Sequence, residues 1–198
     1  MRVLTLSAVI LGLCLFSASA QDQCPSAKSA RSGFIVERGD RSKTEVLYAG
    51  ATDVRTMYQV DGRTLLQVTL FQGLFELERL DRGKRTVYRP VSDLAKAYPL
   101  APGKKVTAIF EETLGDRTTA RTYVLEVRKE VDTLALGACK YAVLLIDRSR
   151  LDDKSKPVFM YTDYYAPDLR LVLGKGYRER DGRTTLIKFD RISPKPAR

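Results

Sequence analysis

The chain of 198 residues is long enough to bury a hydrophobic core as one domain or as two small similar halves. It contains no histidine, so the commonest general base, the usual zinc ligand and every Ser-His or Cys-His nucleophile pair are excluded. The chain has 34 basic and 24 acidic residues, and this net positive charge attracts anionic surfaces. Because the basic residues are spread along the whole chain, we interpret them as a solubilising surface and disfavour a nucleic-acid partner.

Residues 1–20 have the features of a secretory signal peptide. A basic start at Arg2 is followed by the apolar run Val3–Phe16 and by small residues at Ala18 and Ala20. Cleavage near Ala20 predicts a periplasmic protein. No later stretch is apolar and long enough to span a membrane as a helix.

A lipid anchor is the alternative for the N-terminus, because Cys14 and Cys24 lie near it. The lipoprotein signal requires small residues directly before the modified cysteine. Leu13 precedes Cys14 and Gln23 precedes Cys24, so neither cysteine fits that signal.

Cys24 and Cys139 remain after cleavage, and an even number of cysteines in an oxidising compartment predicts a disulfide between them. This bridge would hold a polar, extended arm, residues 21–32, against the middle of the folded domain. A reactive thiol pair is the alternative, but no Cys-x-x-Cys spacing supports it.

Short runs of alternating apolar and polar residues begin after Gly33, which predicts antiparallel strands with one buried face and one exposed face. The pair Asp61-Gly62 predicts a two-residue hairpin turn, because glycine readily adopts the positive φ that this turn requires. Residues 81–84 predict a second hairpin with a longer loop. The predicted strands of this first group are residues 34–38, 43–50, 54–60, 63–71, 74–80 and 85–90.

Residues 91–103 are not strand-like and connect this first group of strands to a second group. Ser92 is a candidate cap for a short helical turn, which Pro99 and Pro102 would end. The pattern therefore predicts one short helical connector near the middle of the domain.

The alternation is clearest from Lys105 to Asp147, with turns predicted at Gly115-Asp116 and near Gly137. A solvated loop at 151–156 separates this meander from the remaining strands. Those strands are predicted at residues 157–165, 169–180 and 184–192.

Many short strands, repeated glycine turns and little helix predict an all-β fold for residues 33–192. Two architectures fit this pattern, an antiparallel sandwich and an open curved half-barrel, and either one could be divided into two tandem half-sheets at 91–103. Residues 193–198 are predicted to be a disordered tail, because they are basic and interrupted by proline.

An enzyme without histidine would depend on carboxylates or on a serine-lysine pair. Adjacent acids occur at Glu111-Glu112 and Asp152-Asp153, but neighbours along a strand point to opposite faces, so we interpret them as exposed acids. No Ser-x-x-Lys, Gly-x-Ser-x-Gly or phosphate-binding glycine loop is present. The sequence therefore predicts no catalytic residue, no metal ligand and no cofactor.

Three tyrosines in one strand, Tyr161, Tyr164 and Tyr165, are the candidate ligand-binding residues. At a strand end, tyrosine rings can line the mouth of a curved sheet and hold an apolar or glycan ligand, with the hydroxyl free to hydrogen-bond. The alternative is a structural role, because tyrosine is a good strand former.

Three stretches of the C-terminal half together resemble a group of exported bacterial β-proteins of unknown function, which have a broad likeness to lipoprotein-localisation half-barrels. This resemblance implies a periplasmic β domain and carries over no catalytic residue. The stretches are Tyr98–Lys104, Val131–Cys139 and Tyr164–Leu169.

These observations favour a non-enzymatic periplasmic protein that binds an apolar or amphipathic envelope component or a partner protein. The suggested partners are a lipid, an envelope glycan or a protein, with peripheral contact to a membrane. Two alternatives remain open at this point, a carboxylate-dependent hydrolase of cell-wall glycan and a structural subunit of the envelope.

Overall fold

The computed structural model describes residues 24–26, 28–30, 32–152, 154–179 and 181–195. The predicted signal peptide and the last three residues of the predicted tail lie outside these ranges. No helix among the described residues is long and apolar enough to cross a membrane.

The described residues form thirteen strands. The strands are β1 (Phe34–Arg38), β2 (Ser42–Ala49), β3 (Asp53–Val60), β4 (Arg63–Phe71), β5 (Phe75–Asp81), β6 (Lys84–Pro90), β7 (Lys105–Leu114), β8 (Arg117–Leu136), β9 (Cys139–Leu151), β10 (Pro157–Ala166), β11 (Leu171–Arg178), β12 (Thr184–Lys188) and β13 (Arg191–Pro194).

All these strands belong to one antiparallel sheet, in which β1 to β12 follow each other in chain order and β13 pairs with β1. The end strands of the described sheet, β12 and β13, do not pair with each other, so the sheet is open. The predicted all-β, antiparallel fold is confirmed. Because β6 pairs with β7 across the connector, the chain forms one sheet and not two half-sheets.

The hairpin turns follow from local sequence. Asp61 and Gly62 have φ values of 48° and 76°, so both adopt the positive φ that the predicted two-residue turn requires. The second hairpin is tighter than predicted, because Asp81 pairs with Lys84 and only Arg82 and Gly83 form its turn.

The connector contains a 3-10 helix, Leu94–Ala97, as the sequence predicts, but its cap differs. Asp93 is the N-cap and accepts a hydrogen bond from the Ala95 N–H. Ser92 instead accepts a hydrogen bond from the backbone N–H of Ile109 on β7. The prediction that Ser92 caps the helix is therefore wrong, because its hydroxyl oxygen is bonded to another strand.

The sheet is strongly curved, since strands at opposite ends of the order share a buried core. Phe34 and Val36 of β1 pack in the same core as Leu173 of β11. A second core lies below the connector, where Leu94 and Ala97 pack on β5, β7, β8 and β9. Strand β9 contributes to both cores, because successive residues point to opposite faces. The β9 side chains in the first core are Cys139, Tyr141 and Val143, and those in the second core are Leu144 and Ile146.

The predicted disulfide between Cys24 and Cys139 is confirmed, with a Cα–Cα distance of 5.6 Å. It holds the described part of the N-terminal arm against the first core. The hydroxyl of Tyr141 donates a hydrogen bond of 2.9 Å to the Pro25 carbonyl, which adds a second attachment beside the disulfide.

The last predicted strand, residues 184–192, is divided in the structure. Strand β12 pairs with β11, whereas β13 pairs with β1 at the opposite edge of the sheet. Phe189 and Asp190 cross between the edges and bond to the carbonyls of Leu173 and Glu37, respectively. Strand β13 extends to Pro194, so the first part of the predicted tail is ordered; proline is tolerated there because β13 is an edge strand.

Candidate functional site

The inner, concave face of the sheet encloses a cavity of about 680 Å³. Small-molecule sites in proteins typically measure about 300–1,000 Å³, so the volume suits a ligand. Each strand from β1 to β11 contributes at least one side chain. The lining residues are Arg38, Ser42, Thr44, Thr56, Tyr58, Leu66, Val68, Leu70, Gly73, Leu74, Phe75, Glu76, Arg79, Tyr88, Phe110, Tyr123, Arg148, Arg150, Tyr161, Asp163, Leu171, Val172, Lys175 and Phe189.

The cavity differs between the two ends of the sheet. We call the end that carries the hairpin turns 61–62, 82–83 and 115–116 the turn end. The opposite end, which carries the connector 91–103, is the connector end. In an antiparallel meander alternate turns lie at the same end, so the position of each lining residue along its strand places it nearer one end or the other.

Apolar side chains form the cavity wall toward the connector end. Leu74, Phe75 and Phe110 are 3%, 1% and 2% exposed, and the rings of Phe75 and Phe110 lie 6.1 Å apart. Alternation along β4 directs Leu70, and then Val68, into the same space. We call this wall the apolar floor.

Several polar and charged lining residues lie nearer the turn end. Arg38 is exposed at the end of β1, and Tyr58 and Arg79 lie near the ends of β3 and β5. Arg79 donates two hydrogen bonds, of 3.0 and 2.8 Å, to Glu76. The cavity is therefore amphipathic, with an apolar floor and a wall of cations and tyrosines toward the turn end.

An ionic triad, Arg148–Asp163–Lys175, crosses three strands between the apolar floor and the turn end. Asp163 is fully buried and accepts bonds of 2.8 Å from Arg148 Nε and from Lys175 Nζ. Arg148 also donates a 3.1 Å bond to the Leu74 carbonyl. The register of β9, β10 and β11 brings the three side chains together, because Asp163 lies directly opposite Lys175 and its strand neighbour Tyr161 lies opposite Arg148.

Both cations of the triad remain charged. Burial acts to lower the pKa of Arg148, but the Asp163 carboxylate outweighs it and raises the pKa above the ordinary arginine value. The pKa of Lys175 is raised for the same reason, since burial opposes the charge and Asp163 favours it. The triad therefore places fixed positive charge beside the cavity at all physiological pH values.

The structure separates the three candidate tyrosines. Tyr161 lines the cavity, and its ring lies 4.1 Å from Lys175 Nζ and 5.9 Å from the Arg148 guanidinium. Tyr165 is buried in the second core and donates a 2.8 Å bond to the Gln72 carbonyl. Tyr164 points to the other face of β10 and packs against the first core. Only Tyr161 of the three is placed to meet a ligand in this cavity, and that role remains a prediction.

Three acids of the pairs noted in the sequence, Glu111, Glu112 and Asp152, do not line the cavity. Glu112 accepts a 2.8 Å bond from Arg121, and Glu111 lies 3.8 Å from the exposed Arg89. Asp152 accepts bonds from two backbone N–H groups of its own loop, and Asp153 lies outside the described residues. Among the described residues, no group of three or more Cys, Asp or Glu side chains is placed to hold a metal ion.

Arg148, Asp163, Lys175 and Arg150 were not identified from the sequence. A signal was present for Asp163, because a carboxylate in the run Met160–Ala166 occupies the same strand face as Tyr161 and Tyr165. An acidic residue on a face that is otherwise buried requires a partner. Identifying the partner needed the strand register, which the sequence pattern does not contain.

Alkaline pH is expected to unfold the protein between about pH 10 and pH 12. Burial raises the pKa of Tyr48 and Tyr141 to about 12, whereas tyrosine in an unfolded chain ionises near about pH 10. The unfolded state releases these protons first, so stability is complete below about pH 10 and is lost as the pH rises toward the folded pKa. Circular dichroism should show loss of the native sheet signal between about pH 10 and pH 12; a sheet signal that is unchanged up to about pH 12 would contradict this expectation.

The fold is similar to the crystal structure of the hypothetical lipoprotein YmcC from Escherichia coli K12. The TM-score is 0.50 at 10% sequence identity, and the alignment covers 86% of this chain and 89% of that chain. At this identity the likeness shows a shared fold alone, which agrees with the all-β domain that the sequence resemblance implies. No protein-family model matches the chain, and no curated protein is similar to it in sequence.

Proposed function

We propose that this protein is a non-enzymatic binding protein that holds an amphipathic component of the bacterial envelope in the cavity of its curved sheet. The observation that carries the proposal is the cavity of about 680 Å³ with its apolar floor and its polar wall near the turn end. An acyl chain on the apolar floor would be removed from water, at roughly 25 cal/mol for each Å² of apolar surface buried. The polar end of the same molecule would face the tyrosines and cations.

The carboxylates in the cavity support binding over hydrolysis. Glu76 and Asp163 line it, and each is engaged by cations: Glu76 by Arg79, and Asp163 by Arg148 and Lys175. A glycosidase needs two carboxyl groups that face the substrate from opposite sides of the scissile bond. Carboxylates that are held in ion pairs are instead suited to a binding site, because they are not free to act as an acid, a base or a nucleophile.

Export to an oxidising compartment belongs to the same proposal. The Cys24–Cys139 disulfide fits the periplasm, because disulfides persist in oxidising compartments and are rare in the cytosol. The signal-peptide features of residues 1–20 support export as well. A protein in this compartment meets lipids, glycans and lipoproteins of the envelope.

Tryptophan placed in the cavity tests the proposal directly, because the chain contains no tryptophan. Leu66 is half-buried and lines the cavity on β4, so Leu66→Trp adds a single reporter to the wall. We expect stearate that carries a nitroxide on its acyl chain to quench this fluorescence saturably, because nitroxides quench only on close approach.

Gln67→Trp is the matched control, because Gln67 is the next residue of β4 and is exposed on the outer face. The nitroxide probe should leave its emission unchanged apart from collisional quenching, which does not saturate. Equal quenching of the two variants, or no saturable quenching of Leu66→Trp, would show that the cavity does not hold an acyl chain.

A further inference from the structure

One cation in the cavity wall has an unused hydrogen-bond donor. Arg150 follows Arg148 by two residues on β9, so the two side chains share the inner face about 7 Å apart along the strand. The Nε atom of Arg150 is buried, and no described residue accepts a hydrogen bond from it. A buried donor without an acceptor costs about 1–3 kcal/mol, so a native structure normally supplies a partner.

The charges around the cavity do not balance. Five cationic side chains and two carboxylates line it among the described residues, which leaves a surplus of three positive charges. Both carboxylates are already bonded to Arg79, Arg148 or Lys175. Within the described ranges, no carboxylate lies within ion-pair distance of the Arg150 guanidinium, so its charge is available to a ligand.

The position of Arg150 fits the headgroup of a ligand whose chain lies on the apolar floor. Along β9 the inner face runs from Ile146 in the second core, through Arg148, to Arg150 nearest the turn end. Tyr123 lies directly opposite Arg150 on β8 and also lines the cavity, so the two side chains are cross-strand neighbours on the inner face. Arginine binds carboxylate and phosphate groups through paired N–H donors.

We propose that Arg150 binds the anionic headgroup of an acyl-chain ligand, so that the protein selects anionic over neutral amphiphiles. This inference rests on the proposed function and adds the chemical class of the ligand. Arg148 is committed to Asp163 and Leu74. Arg79 and Lys175 are each paired with a carboxylate, and Arg38 is exposed to solvent at the end of β1. The discrimination therefore depends on Arg150, whose Nε is buried.

The test compares two probes that differ only at the headgroup, anionic nitroxide-labelled stearate and its neutral methyl ester, on the Leu66→Trp reporter. Wild-type Arg150 should favour the acid over the ester. Arg150→Gln should weaken binding of the acid about 10-fold or more and leave the ester unchanged, because one charge-assisted interaction is lost. Arg150→Lys keeps the charge and should retain part of the preference for the acid. Arg55→Gln, at an exposed outward position on β3, removes the same charge and should change neither affinity.

The outcomes separate this inference from the function on which it rests. If the acid and the ester quench equally and Arg150→Gln changes nothing, the protein binds acyl chains but Arg150 does not recognise an anion. If neither probe quenches, the binding function itself fails, and the headgroup assignment fails with it. Inorganic phosphate should not displace the acid at equal concentration; displacement would show that a free anion is the ligand and would overturn the acyl-anion assignment.

Discussion

Replacing Asp163 by asparagine is expected to lower the free energy of unfolding by about 3–5 kcal/mol, the usual cost of removing one partner from a buried ion pair. Asp163 is fully buried, and the side chain of Arg148 is only 10% exposed. An amide oxygen can still accept one hydrogen bond, but it leaves the Arg148 charge uncompensated beneath the cavity wall. Lys175 is 40% exposed and can turn toward solvent, so most of the cost comes from Arg148. Urea unfolding of both proteins measures the difference.

An exposed pair provides the control. Asp61 is bonded to Arg41 in a solvent-exposed ion pair, and pairs of this kind contribute little to stability, so Asp61→Asn should hardly move the unfolding midpoint. Adding Arg148→Gln to Asp163→Asn should recover part of the lost stability, since it removes the uncompensated charge. Equal effects of Asp163→Asn and Asp61→Asn would show that the triad does not stabilise the wall.

Most of the strand order could be predicted because it depends on local features. Alternating runs define each strand, and a turn such as Asp61-Gly62 joins a strand to its neighbour in the chain, so pairing follows chain order. Strand β9 was predicted as half exposed, although both of its faces are buried from Val143 to Ile146. The curvature of the sheet brings distant strands over it, and this is a non-local effect.

The C-terminal segment shows where local prediction ends. Residues 184–192 read as one alternating run, yet the chain leaves β11 after Lys188 and pairs with β1 from Arg191. The partner of β13 lies about 150 residues earlier in the sequence, and no turn signal connects the two. The Ser92 cap failed for a similar reason, because the hydroxyl bonds to Ile109 on the next strand.

The candidate site was predicted only in part. The period-two rule already places Tyr161 and Tyr165 on one face of β10 and Tyr164 on the other, so the three tyrosines could not form one surface. The cations of the wall were interpreted as part of a solubilising surface, because composition does not distinguish an inward arginine from an outward one. Arg148 and Arg150 are inward because β9 pairs in the register that buries Ile146 on the same face.

Removing the disulfide is expected to lower the free energy of unfolding by up to about 4.7 kcal/mol, the chain-entropy value for a closed loop of about 100 residues. The two cysteines are 115 residues apart, so the bridge restricts a large part of the unfolded chain. The variant Cys24→Ser/Cys139→Ala is preferred, because Cys139 is 7% exposed in the first core and a serine there would bury an unpaired hydroxyl.

The comparison is chemical denaturation of the oxidised protein, the double variant and the reduced protein. The variant and the reduced protein should unfold at nearly the same denaturant concentration, both well below the oxidised form. In the chain-entropy model the disulfide stabilises the protein by restricting the unfolded chain, so its removal should leave the folded structure unchanged. Cys24 and Cys139 also lie outside the cavity lining. Leu66→Trp should therefore still report acyl-chain binding in the folded double variant. An unchanged midpoint in the double variant would mean that the arm and the first core hold the fold together without the bridge, through contacts such as the bond from Tyr141 to Pro25.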